Sequence, residues 1–302
     1  MKVVFYPAGN STRASSRYRV WWVVPTHKEW VVGTLNGTEW RSAQVLVFQR
    51  QQNGPAVKLA KEAKAHGKLI VYDCTDYYFH KKWGTQRSVD TMARIAHVLT
   101  TGNADDVWLM KRRYKNKPVY LVPNAQRSDL YKKKKKHSRV SRPRIIWFGR
   151  IGNIGTLRSI WGHFENLARA GVPFEVLLVN DTGSKAGLTL GRRHPVIAAK
   201  WTLGGINDLI VSADVAVNPQ IKQPNGRYHK DQNKSVTAWM CGLPCVTFDI
   251  TKNWHDDLRR FLVDWKLRAR SGKKNIQRAK QWEAANVAKT WERVFQEGLR
   301  RL

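Results

Sequence analysis

The chain has 302 residues, with 54 Lys+Arg against 22 Asp+Glu and a formal net charge of +32 at pH 7. A hydrophobic share of 42% with 11% aromatics excludes a disordered chain and is enough for two domains, each with its own core. No apolar run reaches the roughly 18 residues of a transmembrane helix, and the excess of cations points to a polyanionic partner, either nucleic acid or an anionic membrane surface.

Residues 2–8 (KVVFYPA) predict a buried strand, and the opening MKVVFYPAGN reads as that strand and not as a secretory signal. Gly9 and Asn10 end it, a polar loop follows, and residues 17–24 predict a helix with Ser15 or Ser16 as N-cap. A strand, a turn and a helix open a doubly wound sheet, whose ligands lie beyond the carboxyl ends of the strands. The βα rhythm continues with strands at 44–50, 68–73, 98–101 and 118–122 and helices at 55–66, 87–97 and 104–114. Five lysines, Lys132 to Lys136, then interrupt the pattern. Their mutual repulsion predicts an unpacked linker over 131–142, either plainly solvated or a tether that touches phosphate.

A second series begins with a strand at 144–148, which enters Gly149-Arg150-Ile151-Gly152-Asn153, and a helix at 156–170. The glycines let backbone N–H groups approach a diphosphate, and Arg150 can pair with it bidentately. The glycine spacing is not that of a dinucleotide fingerprint. Strands are expected at 174–180, 196–201 and 215–219, with a helix at 206–213. In 230–248 (KDQNKSVTAWMCGLPCVTF) a polar loop leads into a short helix stopped by Gly242 and Pro244, then a strand. Asn233 and Lys234 fall at that helix's N-terminus, where free N–H groups and the macrodipole favour phosphate. Residues 273–302 carry helical periodicity. Cys74, Cys241 and Cys245 form no disulfide framework and no zinc ligand set, so free thiols in a reducing cytoplasm are expected, and with them a cytoplasmic protein.

Several of these stretches, in this order, resemble GT-B glycosyltransferases of the family-4-like branch. Residues 239–246 (WMCGLPCV) look like the tail of the family's donor-nucleotide signature, and Trp147-Phe148-Gly149 with Gly152-Asn153 is similar to the turn that opens its donor domain. Ala14-Ser15-Ser16-Arg17-Tyr18-Arg19 resembles a Ser-Ser-Arg-Tyr-Arg turn of the same branch; the alternative is an N-cap with exposed arginines. The resemblance implies an α/β GT-B fold of two Rossmann-like doubly wound domains facing each other across a cleft. It places an acceptor domain at 1–130, the basic linker at 131–142, a donor domain at 143–272, and a terminal helix at 273–302 that packs back toward the first domain.

It further implies that Gly149, Arg150, Gly152, Asn153, Trp201, His229, Asn233, Lys234 and Thr237 bind the donor, Trp201 being alternatively a core residue. Asn10, Arg13, Ser16, Arg17, Tyr18, Tyr77 and Tyr78 would face the acceptor, with Trp21, Trp22 and Trp83 available to hold a flipped base. Asp76 is the first candidate for general base and Asp73 the second, although both could instead cap the segment that follows. The chain departs from the family where a Glu-x7-Glu pair is usual, for His229 and Thr237 stand there, so the anomeric outcome does not carry over. No covalent cofactor is implied. The donor would be a nucleotide-sugar, UDP-glucose or similar, with a divalent metal compatible but not required.

The charge suggests that the acceptor is double-stranded DNA bearing a hydroxymethylated pyrimidine, as for glycosyltransferases by which bacterial viruses mask their genomes. The alternatives are a peripheral membrane glycosyltransferase of surface polysaccharide or glycolipid synthesis, and an inactive module that binds nucleic acid.

Overall fold

The computed structural model describes residues 1–75, 86–220, 232–247 and 254–302. Asp76, Tyr77, Tyr78, Trp83 and His229 lie outside the described residues. The chain divides into two units: the first holds Met1–Gln126 and Trp282–Leu302, and the second begins at Arg127 and ends at Gln281.

Six strands, all paired in parallel, form the sheet of the first unit. They are β1 (Val3–Tyr6), β2 (Trp30–Val32), β3 (Val45–Gln49), β4 (Leu69–Asp73), β5 (Val98–Thr101) and β6 (Val119–Leu121), in the order β2-β1-β3-β4-β5-β6. β1, β3, β4 and β5 are buried along their whole length, which is why they read as continuous apolar runs. Alternation splits them between two cores. Val4, Tyr6, Leu46, Phe48, Ile70 and Tyr72 meet Ala56, Leu59, Val89 and Met92 from α2 (Gly54–Ala65) and α3 (Gln86–Ile95). Val3, Phe5, Val45, Val47, Leu69 and Val71 face the other way, onto Val287, Ala288, Trp291, Val294 and Phe295. Asn53 caps α2 by accepting from the Ala56 amide, and Asn103 caps α4 (Ala104–Arg113).

The second sheet comprises β7 (Arg144–Phe148), β8 (Glu175–Asn180), β9 (Val196–Lys200), β10 (Val215–Val217) and β11 (Cys245–Val246), again in parallel. Its order, β11-β10-β7-β8-β9, reverses direction between β7 and β10, the point at which doubly wound sheets bind ligands. α5 (Ile154–Arg158), α6 (Trp161–Arg169), α7 (Ile206–Val211), α8 (Asn233–Met240), α9 (Trp254–Val263) and α10 (Trp265–Ala279) belong to this unit.

Several expectations change in detail. The helix expected at 17–24 is an α turn, α1 (Ala14–Ser16), running into a π turn at Arg17–Trp21. The helix expected at 156–170 is two helices, α5 and α6, broken at Ile160. The terminal helix is also two: α10 lies on the second unit, and α11 (Ala284–Leu299) covers one face of the first sheet. Each large apolar side chain so buried contributes about 1.5–3 kcal/mol, so the first unit depends on the last helix of the chain.

The lysine run is packed, not free. The Lys133 amide donates to Asn207 Oδ1 at 2.9 Å, the Lys135 amide to the Cys241 carbonyl at 2.8 Å, and His137 Nε2 contacts the Gly242 carbonyl at 2.9 Å. Backbone groups hold the segment, Lys135 Nζ turns inward to pair with buried Asp214, and Lys132, Lys133 and Lys136 are exposed, which lowers the repulsion that suggested a loose tether. Residues 127–142 therefore go with the second unit, and the division falls after Gln126.

Candidate functional site

At the switch point of the second sheet, β7 ends in Trp147-Phe148 and the chain turns through Gly149. A methyl group at Gly149 would lie 2.8 Å from Lys234 Nζ, 3.1 Å from its Cε and 3.3 Å from the Trp147 ring. The end of the lysine side chain, from the first turn of α8, occupies the space a side chain at Gly149 would fill. Lys234 Nζ stands 4.8 Å from the centroid of the fully buried Trp147 ring, a cation over an aromatic face. Gln232 makes no side-chain cap to α8, which leaves first-turn N–H groups of the helix that carries Lys234 without that partner. A phosphate or diphosphate is the ligand such a corner suits.

The loop after Gly149 is tied down from β8, since Asp181 Oδ1 accepts from the Ile151 amide at 2.7 Å. Asp181 Oδ2 lies 3.9 Å from Arg150 Nε, and the Arg150 side chain remains 85% exposed. Gly152 has nothing within 4 Å of a would-be Cβ, so close approach does not require glycine at that position. The Asn153 carbonyl accepts from Thr156 Oγ1 at 2.8 Å, placing this residue at the entry to α5. Asn233 is half-buried at the start of α8, beside Lys234. Thr237 is only 4% exposed, one turn further into the helix. Trp201 is half-buried after β9, its amide donating to the Asn180 carbonyl at 2.7 Å.

Behind the site, Ser235 Oγ accepts from Asn218 Nδ2 at 3.0 Å and lies 3.3 Å from Thr247 Oγ1, pinning α8 to the ends of β10 and β11. Burial pushes the Cys241 thiol up to about 12, and its sulfur accepts from Asn207 Nδ2 at 3.3 Å. Burial likewise pushes Cys74 up to about 12. Both are neutral packing residues at ordinary pH.

In the first unit the loop after β1 is organised from below. Gln49, at the end of β3, accepts at Oε1 from the Ala8 amide (2.9 Å) and from Ser16 Oγ (3.0 Å). Arg17 is buried, reaches the Ser11 and Thr12 carbonyls, and lies over the Tyr18 and Trp22 rings at 5.3 and 5.5 Å. Ser16 and Arg17 thus hold the loop in shape and are not presented to an acceptor. Tyr18 is half-buried, whereas Asn10 and Arg13 are exposed on the loop. Arg50, which begins the neighbouring loop, has a φ of 53°. A non-glycine residue held there is strained, and such strain gathers at loops under functional constraint.

Asp73 is not placed to act as a base. Both its carboxylate oxygens are taken by Arg19, Nε to Oδ2 at 3.0 Å and Nη2 to Oδ1 at 2.5 Å, and Thr100 Oγ1 adds a bond of 2.7 Å. Both side chains of the ion pair are fully buried, and Arg19 also donates to the Val122 carbonyl. An acid so enclosed cannot reach a hydroxyl. Sequence reasoning missed Arg19 as its partner, although an arginine beside the apolar run Val20 to Val24 was a signal that a buried counter-ion had to exist. It also passed over Trp147 as a platform for Lys234.

Among the described residues, no group of three His, Cys, Asp or Glu could hold a metal ion, and no helix is long and apolar enough to cross a membrane.

At the level of sequence, no protein-family model and no curated protein matches the chain. Solved structures do match. S. aureus TarM, as a point mutant in complex with fondaparinux, alpha-GlcNAc-glycerol and UDP, aligns with a TM-score of 0.59 at 9% identity, over 83% of this chain and 55% of that one. The catalytic domain of starch synthase IV from Arabidopsis thaliana, bound to ADP and acarbose, gives 0.54 at 10% identity over 86% and 73%. TarM and starch synthase are GT-B glycosyltransferases. The N-terminal domain of trehalose-6-phosphate phosphatase from Candida albicans matches across nearly its whole length, 98% of this chain and 97% of that one, with a TM-score of 0.65 at 9% identity. The chain spans about half the length of TarM. Two α/β units with parallel sheets are consistent with the GT-B fold, and at these identities the likeness is one of fold.

Proposed function

We propose that the protein is a nucleotide-sugar-dependent glycosyltransferase whose donor diphosphate is held at the β7/β10 switch point. The observation that carries this reading is the Lys234 ammonium over Trp147, beside Gly149 and the uncapped start of α8. A fixed cation and aligned N–H groups at the leaving diphosphate offset the negative charge that develops as the sugar departs. Arg150, exposed at the rim of the loop, supplies a second cation. UDP in TarM supports a UDP-sugar as donor. With Asp73 committed to Arg19, the base assignment rests on Asp76.

For the acceptor, the net charge of +32 supports a phosphate-rich polymer, and we take it to be duplex DNA with a hydroxymethylated pyrimidine. The test is mass spectrometry of hydroxymethylated duplex DNA after incubation with a pool of nucleotide-sugars, alongside calorimetric titration of UDP. Added hexose mass on the base, lost in Asp76→Asn while UDP still binds, is the expected result. Failure of UDP to bind would refute the donor site. UDP binding with no transfer to DNA, but transfer to a glycan or lipid acceptor, would refute the acceptor.

A further inference from the structure

We propose that α10 and the extended segment 132–142, side by side on the second unit, form a docking surface for the phosphate backbone of duplex nucleic acid. This deepens the acceptor reading above by naming the surface that grips the polymer, and it rests on that reading for its purpose.

The two segments are far apart in sequence and adjacent in space. His137 packs against Gly272, Arg268 Nη2 donates to the Ser138 carbonyl at 3.2 Å, and a Cβ on Gly242 would meet Ile276 at 3.2 Å and the Lys135 amide at 3.7 Å. Residues 135, 137 and 138 thus run past 276, 272 and 268 in the opposite direction. Each segment, 132–142 and 265–281, contains seven lysines and arginines and no aspartate or glutamate. Some of these cations serve the fold: Arg268 is buried, Lys135 Nζ pairs with buried Asp214 at 3.1 Å, Arg278 lies over the ring of buried Trp239 at 4.3 Å, and Lys134 Nζ donates to the Tyr131 carbonyl. Lys132, Lys133, Lys134, Lys136, Arg139 and Arg142 are exposed on the extended segment, Lys133 beside Asp208 at 2.6 Å.

On the helix, Lys266, Arg270, Lys273 and Lys274 are exposed. Their spacing of four, three and one puts them on a single face, where like charges one turn apart destabilise the helix. The opposite side holds Arg268, Gly272 and Ala279, all buried, with Gly272 set directly against the Gly242 carbonyl. That arrangement disfavours a lipid surface. A helix lying on a membrane needs an apolar face to insert, and here the apolar side is already used against α8. Duplex nucleic acid needs no such face. A helix of 15 residues is about 22 Å long, a length of duplex that carries on the order of a dozen phosphate charges.

The experiment is fluorescence anisotropy with a short labelled duplex, in the absence of any sugar donor and across a range of salt. One variant combines Lys266→Gln, Arg270→Gln, Lys273→Gln and Lys274→Gln; a charge-matched control combines Lys58→Gln, Lys61→Gln, Lys111→Gln and Lys115→Gln, all exposed on the first unit. The α10 variant should lose tenfold or more in affinity, and the slope of log affinity against log salt should fall by about 3 to 4, near 0.9 for each phosphate contact removed. The control should change far less. Equal losses in both, or no loss in the α10 variant, would overturn the proposal. So would a wild-type protein that ignores the duplex but binds phosphatidylserine vesicles through α10. Unchanged far-ultraviolet circular dichroism and unchanged UDP binding identify a true loss of docking. Because no donor is present, absence of sugar transfer leaves this result intact.

Discussion

Gly149→Ala should separate the proposed donor site from the fold. The added methyl would lie 2.8 Å from Lys234 Nζ, whereas non-bonded heavy atoms need about 3.5 Å, so the ammonium must retreat by about 0.7 Å. The end of a lysine side chain gives way cheaply, and no backbone atom stands among the three nearest contacts. Stability should therefore change by less than about 1 kcal/mol. Binding should suffer more. The retreat weakens a cation–aromatic contact of about 0.5–2 kcal/mol and misplaces a charge-assisted hydrogen bond of about 1.5–3 kcal/mol. UDP affinity should fall between about tenfold and a hundredfold, as should that of Lys234→Met, which keeps the length of the side chain and removes the charge. Calorimetric titration of UDP, paired with urea unfolding, measures both quantities. A Gly149→Ala protein that binds UDP like the wild type, or one that unfolds several kcal/mol more easily, would refute the reasoning.

Asp73→Asn should lower stability by about 3–5 kcal/mol, because it leaves the buried Arg19 guanidinium without its counter-ion; a carboxylate acting only as a base would leave the urea midpoint where it was. Gly272→Ala should also destabilise, by at least about 1–3 kcal/mol, since its methyl overlaps the Gly242 carbonyl and neither backbone can yield; a thermal melt within a degree of wild type would contradict that close approach. Burial, with Lys64 and Lys117 nearby, lowers His97 from its ordinary 6.5 to about 4, and the neutral ring accepts from the Ile70 amide at 3.0 Å. Between those two pH values the unfolded chain takes up a proton that the native chain refuses. Stability should therefore fall as pH drops from 6.5 toward 4 and level off below, by about 1–2 kcal/mol once partial exposure is allowed for. Urea unfolding at about pH 7 and about pH 4.5 should show a shallower drop in His97→Gln, and equal drops would exclude this histidine as the cause.

Much of the architecture was legible along the chain. β1, β3, β4, β7 and β8 are buried on both faces, so composition alone marked them, and Gly242 advertised the end of α8 through a conformation, φ 80°, that other residues avoid. The three-residue strand β2 escaped because so short an edge strand carries too little pattern to register. α9 and the first half of α10 were also passed over. At the corner after β7, Gly149 and Lys234 were each visible as phosphate-binding types, yet nothing local stated that one fills the other's missing side chain.

Periodicity, turn chemistry and charge are properties of neighbours in sequence, so the order of strands and helices and the excess of cations belong to the sequence alone. Partnership is not of that kind. Asp73 changes from candidate base to structural counter-ion because Arg19, 54 residues away, is folded onto it. The five lysines become an ordered edge because Asn207, Asp214 and the end of α8 come up beneath them. In both cases the free energy of a charge depends on which groups and how much water surround it, and only the tertiary structure brings those surroundings together.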